Sequence, residues 1–125
     1  MKAIIAVAVL LVMGSLARAQ AVDYTLQGGP SCYVSTTAWC YAPVLKVDGT
    51  AGGTIWTKQD GELRFYDASG NLAWTSTDWN PTTGAFSASD GQTGVLDVTF
   101  STVRTCRRGQ CYYYTHISGG TLEIQ

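Results

Sequence analysis

The chain has 125 residues, of which 46% are hydrophobic and 14% are charged, and its formal net charge is −1. This length suits one domain with a single hydrophobic core. Proteins that bind nucleic acid generally carry a clear excess of Lys and Arg, so the near-neutral charge argues against a nucleic-acid partner.

The first element of the chain, residues 1–19, has the three parts of a secretory leader. Lys2 precedes an apolar run over residues 3–13, and Ala17-Arg18-Ala19 forms a small-x-small cleavage signal. We therefore predict a signal peptide over residues 1–19 and a single secreted β domain over residues 20–125, extracellular or periplasmic. Without the leader, six basic and nine acidic residues give a charge of −3. No later apolar run reaches the roughly 18 residues that span a bilayer, so we expect no membrane insertion after leader removal.

Residues 20–125 lack sustained helical periodicity and contain short segments rich in Thr, Val, Tyr and Trp. The predicted strands, in chain order, cover residues 22–27, 32–36, 39–47, 54–58, 62–66, 72–76, 85–87, 95–104, 111–117 and 121–124. Turns are predicted at Asp60-Gly61, Ser69-Gly70-Asn71, Asp90-Gly91 and Gly119-Gly120, whose residues tolerate positive φ. This regular spacing predicts an all-β fold, a small disulfide-stabilised antiparallel β-sandwich, with a barrel or a β-prism as the alternatives.

All four cysteines follow the leader, at Cys32, Cys40, Cys106 and Cys111. An even number of cysteines in a small exported domain predicts two disulfide bonds, and four cysteines allow three pairings. We favour the two local pairs, Cys32 with Cys40 and Cys106 with Cys111. Zinc ligands usually lie closer together in sequence than these pairs do, and His116 is the only histidine, so we expect no metal and no other cofactor.

The segment from Cys106 to Cys111, C-R-R-G-Q-C, predicts the tip of a disulfide-closed hairpin. Counting back from the tip gives the predicted register, which pairs Thr105 with Tyr112, Arg104 with Tyr113, Val103 with Tyr114, and Phe100 with Ile117. Because side chains alternate, Tyr112 and Tyr114 share one face. Together with Arg107 and Arg108 they are candidate ligand-binding residues, since a cross-linked loop loses little entropy on binding and Arg and Tyr are common interface anchors. A solvated hairpin that protects a sheet edge is the alternative.

A second candidate site lies in residues 58–78, K-Q-D-G-E-L-R-F-Y-D-A-S-G-N-L-A-W-T-S-T-D, which resemble one repeat of the bulb-type mannose-binding lectins. The positions that match the family pattern are Asp60, Gly61, Leu63, Tyr66, Asp67, Gly70, Asn71 and Trp74. The resemblance implies a sugar site in which Asp60 accepts a hydrogen bond from a hydroxyl group and Tyr66 donates one. Lys58, Glu62 and Arg64 stand where the family has Gln, Asn and Val. The family normally uses three such repeats in a β-prism.

The same segment also fits an ordinary hairpin in which Leu63 and Phe65 point inward. Trp74 is a candidate platform for stacking against a sugar ring, although core filling is the usual role of Trp in so small a domain. Glu62 and Asp60 lie two residues apart on one predicted strand, so their carboxylates share a face. Such a pair would serve glycoside hydrolysis only in a deep cleft, which a domain of about 100 residues rarely provides.

Hydrolytic catalysis would need a nucleophile with a base, and no motif pairs a nucleophile with the single histidine. We therefore predict that the chain is not an enzyme. The leading hypothesis is a secreted non-catalytic binding module whose partner is an extracellular glycan or a secreted or cell-surface protein. One alternative is an inhibitor of a secreted hydrolase that acts through the Cys106–Cys111 loop. Another is a structural coat or appendage subunit.

Overall fold

The structure is a computed structural model that describes residues 21–125, so the predicted signal peptide lies outside the described residues. Within this range the chain forms strands and no helix, and the prediction of an all-β fold is confirmed. The strands are β1 (Val22–Leu26), β2 (Cys40–Lys46), β3 (Ala51–Thr57), β4 (Leu63–Tyr66), β5 (Leu72–Ser76), β6 (Ala85–Ser87), β7 (Thr93–Arg107) and β8 (Gln110–Ile124). A helix long and apolar enough to cross a membrane is absent from this part of the chain.

The eight strands form one antiparallel sheet in the order β5-β4-β3-β2-β1-β8-β7-β6. Its two ends approach each other near Thr75 of β5. The Ser89 N–H donates to the Thr75 carbonyl at 2.7 Å, and the Thr75 N–H donates to the Ser89 hydroxyl at 3.0 Å. The Asp78 carboxylate also accepts the Ser87 N–H of β6 at 2.7 Å. The sheet is therefore a nearly closed barrel, so the barrel alternative describes the fold better than two stacked sheets do.

The core fills the inside of this barrel with alternate side chains of the strands. Three aromatic rings, those of Phe65, Trp74 and Phe86, form a stack with successive centroids 5.4 and 5.0 Å apart. The buried Trp79 indole N–H donates to the Leu96 carbonyl at 3.1 Å, which satisfies its only polar atom. Leu63 and Phe65 point inward, as predicted. Each fully buried side chain of this kind contributes about 1.5–3 kcal/mol, so these inward positions carry most of the barrel's stability.

Strands β7 and β8 have 15 residues each and continue beyond the barrel as a two-stranded arm, residues 99–118. In its outer part the side chains on both faces are exposed or half-buried, whereas Ile117 at its base is fully buried. At about 3.3 Å per residue, the stretch from Ser101 to Arg107 carries the tip roughly 20 Å away from the barrel. The outer part of the arm therefore projects beyond the barrel.

The cysteine pairing in the structure is the one predicted from the sequence. Both predicted disulfides are present, Cys32–Cys40 and Cys106–Cys111. The predicted register of the arm is also confirmed, with Cys106 facing Cys111 and all four predicted pairs in place. The first disulfide anchors the β1–β2 loop to the barrel, and the second closes the tip of the arm.

Two local predictions are wrong. The predicted turn at Gly119-Gly120 does not exist, because β8 runs through both glycines. Gly120 has a φ of 141° and lies against the backbone of Asp97, where a Cβ would come within 2.1 Å of the carbonyl oxygen. This glycine therefore permits close approach within a strand rather than a reversal. In the predicted strand over residues 32–36 only Cys32 forms a bridge, to Thr115, and the chain then leaves the sheet as a loop.

Candidate binding site

A groove lies between the arm and the loop that joins β1 to β2, and we call it the arm groove. Its volume is about 520 Å³. The residues that line it include Tyr33, Val34, Ala38, Trp39, Tyr113 and Tyr114. The loop is held beside β8, because the Gly29 N–H donates to the Ile117 carbonyl at 2.8 Å and the Cys32 N–H donates to the Thr115 carbonyl at 2.7 Å. Both walls of the groove are therefore fixed to the same sheet.

Local chemistry sets the path of this loop. Gly29 lies so close to Tyr41 that a Cβ would sit 2.0 Å from the Tyr41 carbonyl oxygen. Farther along, the Ser35 hydroxyl oxygen accepts the Ala38 N–H at 3.0 Å, which turns the chain back towards β2. Tyr33 lies between these two points, and its side chain is exposed.

The hydrophobic side chains of the arm groove are strongly exposed. Tyr33 is 82% exposed, Tyr113 68%, Val34 45% and Tyr114 42%. No Asp, Glu, Lys or Arg of the described chain lines the groove. Contiguous exposed apolar surface on a folded domain marks interaction sites, so the groove suits a ligand that binds by shape and ring contact.

The tip of the arm carries the predicted candidates Arg107, Arg108 and Tyr112, all exposed. Arg108 and Gly109 have φ values of 51° and 80°, which are typical of a two-residue type I′ turn. The Tyr112 hydroxyl donates to the Gln110 side-chain oxygen at 2.7 Å, which orders the side chains beside the turn. The tip thus presents two arginines on a short, closed turn.

The lectin-like hairpin brings two predicted candidates, Asp60 and Glu62, together with Lys58. Lys58 forms an ion pair with Glu62, and its Nζ lies 3.5 Å from Asp60 Oδ2. Asp60 Oδ1 accepts the Glu62 backbone N–H at 2.9 Å. That N–H, assisted by the Lys58 charge, lowers the pKa of Asp60, and the Glu62 carboxylate raises the pKa of Lys58. Both carboxylates are therefore already engaged within the hairpin.

The outer face of β2, β3 and β4 carries an aromatic cluster that includes the candidate Tyr66. Trp56 stacks on Tyr41 with ring centroids 4.2 Å apart and meets Tyr66 edge to face at 6.3 Å. The Lys58 ammonium lies 4.8 Å from the centre of the Trp39 ring. All four rings are half-buried. Their contacts with one another leave less ring surface for a sugar than the sequence suggested.

Trp74 requires a correction as a candidate sugar platform. Its side chain is only 5% exposed and lies between Phe65 and Phe86 in the core. The reason is strand parity, because Trp74 pairs with Phe65 across β4 and β5 and both side chains point into the barrel. Trp74 is therefore not available to a ligand in this structure.

The remaining candidates occupy two surfaces. The arm carries Arg107, Arg108, Tyr112 and Tyr114, whereas the lectin-like hairpin carries Asp60, Glu62 and Tyr66. Val34 and Tyr113, which also line the groove, were not among the residues predicted from the sequence. The available signal was Tyr33-Val34, two large apolar residues next to a disulfide cysteine in an otherwise polar loop.

Neither the candidate metal ligands of the described residues nor the comparison with known proteins indicates a function. In residues 21–125, no three His, Cys, Asp or Glu side chains lie close enough together to hold a metal ion. The ring of His116 contacts the neighbouring Ile117 carbonyl at 3.1 Å through Nδ1. No protein-family model matches the chain, and neither a curated protein nor a solved structure matches it.

Proposed function

We propose that this protein is a secreted, non-catalytic binding module that recognises the surface of another extracellular protein through the arm groove. The observation that carries the proposal is the exposure of Tyr33, Val34, Tyr113 and Tyr114 around one concave surface. Tyr and Trp are enriched among the residues that dominate protein interfaces, because they bury a large area at low entropic cost. The two anchored walls favour binding without large rearrangement.

The chemistry of the groove favours a protein over a glycan. Sugar hydroxyl groups are best held by carboxylate and amide side chains, and the described lining of the groove has no Asp, Glu, Asn or Gln. Such carboxylates do occur at Asp60 and Glu62, but they contact Lys58 and the hairpin backbone. A glycan is the alternative partner, and the experiment below distinguishes it from a protein.

The geometry of the tip disfavours the alternative that the protein inhibits a secreted hydrolase through the Cys106–Cys111 loop. A substrate-like inhibitor loop presents an extended backbone that pairs with the enzyme. Here Arg108 lies in a tight turn, and Arg107 pairs with Gln110 inside the hairpin. This arrangement favours binding through the faces and groove of the arm over insertion of an arginine from its tip.

Capture from the extracellular fraction of the source organism tests the proposal. We expect the immobilised protein to capture a partner that protease treatment of the fraction removes and periodate oxidation of its glycans does not. The triple variant Tyr33→Ser/Tyr113→Ser/Tyr114→Ser should weaken capture by at least about tenfold, since interface tyrosines are frequent hot spots. The matched control is Val47→Ser, which changes an 85% exposed side chain in the β2–β3 turn.

Two results would contradict the proposal. Capture that resists protease but is lost after periodate oxidation would replace the protein partner with a glycan. Equal capture by the wild type and the triple variant would place the binding surface outside the arm groove.

A further inference from the structure

We infer that the outer edge of β7 in the arm accepts an extended acidic peptide as an additional β-strand. This edge lies on the opposite side of the arm from the groove, so the inference goes beyond the proposed function. It rests on the backbone groups of β7, on the composition of that strand and on the distribution of charge.

The register shows which backbone groups of the arm point outward. In an antiparallel pair, every second residue directs its N–H and C=O away from the partner strand. On β8, Thr115 and Ile117 do so, because their carbonyls accept hydrogen bonds from the β1–β2 loop. On β7, Leu96 does so, because its N–H donates to the Gly84 carbonyl at 2.8 Å. The outward residues of β7 are therefore the even-numbered ones.

Beyond Leu96, the outward groups of β7 are free. Strand β6 pairs with β7 only as far as Val95. Within the arm, the outward residues of β7 are Phe100, Thr102, Arg104 and Cys106. Their backbone N–H and C=O groups have no hydrogen-bond partner among the described residues. They provide eight unpaired groups in one row, the pattern that strand addition requires.

The composition of this edge favours pairing. Natural sheets usually protect an exposed edge with Pro, charged side chains such as Lys, a bulge or a very short strand. From Phe100 to Arg107, β7 contains no Pro and no bulge, its only charged side chains are Arg104 and Arg107, and it is rich in β-branched Thr and Val. The Cys106–Cys111 disulfide holds the far end closed, which lowers the entropic cost of adding a strand.

The charge of the arm indicates what kind of strand would add to the β7 edge. Residues 98–122 contain three arginines, Arg104, Arg107 and Arg108, and no acidic residue. A second copy that added its own β7 edge would bring two such basic arms together, and like charges on neighbouring strands are destabilising. A strand with acidic side chains meets the opposite sign along the same edge. The partner is therefore an extended acidic segment of another protein.

The experiment uses amide hydrogen exchange of the secreted chain with a synthetic eight-residue peptide of alternating Thr and Glu. We expect the peptide to slow exchange of the Thr102 and Arg104 amides by at least about tenfold, because these N–H groups gain acceptors. The Val103 and Thr105 amides, already bonded to β8, should change little. A peptide with Lys in place of Glu should have no effect.

The matched variants are Thr102→Pro and Thr102→Ala. Both lose the Thr102 hydroxyl, which lies 3.2 Å from that of Thr115, but only the proline loses the outward N–H. We expect Thr102→Ala to bind the acidic peptide and Thr102→Pro to lose binding. Retained protection at Val103 and Thr105 verifies that the arm of each variant is folded. Should Thr102→Pro unfold the arm, Arg104→Gln serves instead and should weaken binding several-fold.

Three outcomes would overturn the inference. Equal binding of the acidic and the Lys peptide would remove the charge argument, and equal binding by Thr102→Pro and Thr102→Ala would place the peptide elsewhere. Protection of the edge amides that rises with protein concentration, without any peptide, would identify a second copy as the occupant. The groove triple variant should bind the peptide normally, so failure of the proposed function and failure of this inference are distinguishable.

Discussion

The carboxylate of Asp78 connects the two ends of the barrel sheet. It accepts the Ser87 N–H at 2.7 Å and the Ser76 hydroxyl at 2.8 Å, and these bonds, the first above all, lower the pKa of Asp78. A lowered pKa means that the ionised form stabilises the folded state, fully above the ordinary carboxyl pKa and progressively less as pH falls through the folded value. Closure of the barrel is therefore weakened in acid.

The variant Asp78→Asn tests this role, because it keeps an acceptor oxygen and removes the charge. We expect a lower Tm than that of the wild type at pH 7 and a difference that shrinks as pH falls below about 4, the ordinary carboxyl pKa, because the unfolded chain then binds a proton at Asp78 that the folded carboxylate, with its lowered pKa, resists. Asp23→Asn, which changes an exposed side chain of β1, is the control. A constant Tm difference from pH 7 to pH 2 would show that the charge of Asp78 does not contribute.

Two tryptophans illustrate what the sequence reveals at single positions. Trp56 and Trp74 occur in similar short strings, I-W-T and A-W-T, yet Trp56 faces outward opposite Arg64 and Trp74 faces inward opposite Phe65. Which face a side chain takes depends on the register with the neighbouring strand, and a one-residue change in register reverses it. The sequence could therefore identify the strands but not the exposure of Trp74.

At the scale of elements, the hairpin of β7 and β8 was predictable because its two cysteines fix the register at the tip. Counting back from the tip gives the register only as far as Ile117, because a register shift between Thr99 and Phe100 pairs Thr99 with Gly119. The turn predicted from the two glycines Gly119-Gly120 is wrong, since β8 continues through them. The arm groove was not predictable, since it requires the β1–β2 loop to lie beside β8. That contact joins residues more than 80 positions apart, and no local pattern indicates it.

The two disulfides should differ in their effect on stability. Closing a loop of this size stabilises a folded domain by about 2–3 kcal/mol in the chain-entropy account. We expect that full loss for Cys32→Ser/Cys40→Ser, because Cys40 is buried against the core. An exposed two-stranded hairpin is only marginally stable by itself. In Cys106→Ser/Cys111→Ser we therefore expect the strands of the arm to separate while the barrel stays folded, with little loss of barrel stability.

Denaturant unfolding measures the free energy of the barrel, and amide exchange at Val103 and Thr105 reports on the arm. For Cys106→Ser/Cys111→Ser we expect fast exchange at these amides with a nearly unchanged unfolding midpoint. Equal losses of unfolding free energy in the two double variants would mean that the arm and the barrel unfold as one cooperative unit.

At the scale of the whole molecule, charge is divided between the arm and the barrel. The arm carries three positive charges, whereas the remaining described residues contain nine acidic and three basic side chains, a net charge of −6. Strand direction alternates in the sheet, so the turns that follow β2, β4 and β6 lie at the end of the barrel opposite the arm. Each of these turns contains an aspartate, at Asp48, Asp67 and Asp90. The molecule is therefore polarised by its basic arm, although the turns after β3 and β5, on the arm side of the barrel, also carry Asp60, Glu62 and Asp78.

Because of this polarity, we expect the protein to bind to a negatively charged surface even though its own net charge is negative. Asp97, the nearest acidic residue before the tip on β7, lies ten residues from Arg107, which is about 33 Å of extended strand. The Debye length is only about 10 Å at 0.1 M salt, so at that salt concentration the tip arginines act almost independently of the barrel.

We expect residues 20–125, despite a net charge of −3, to be retained on a cation exchanger at pH 7 and about 0.1 M salt. Arg107→Gln should elute at lower salt than the wild type and Lys46→Gln, on β2, should not; passage of the wild type without retention, or equal shifts for both variants, would show that the arm does not act as a separate basic surface.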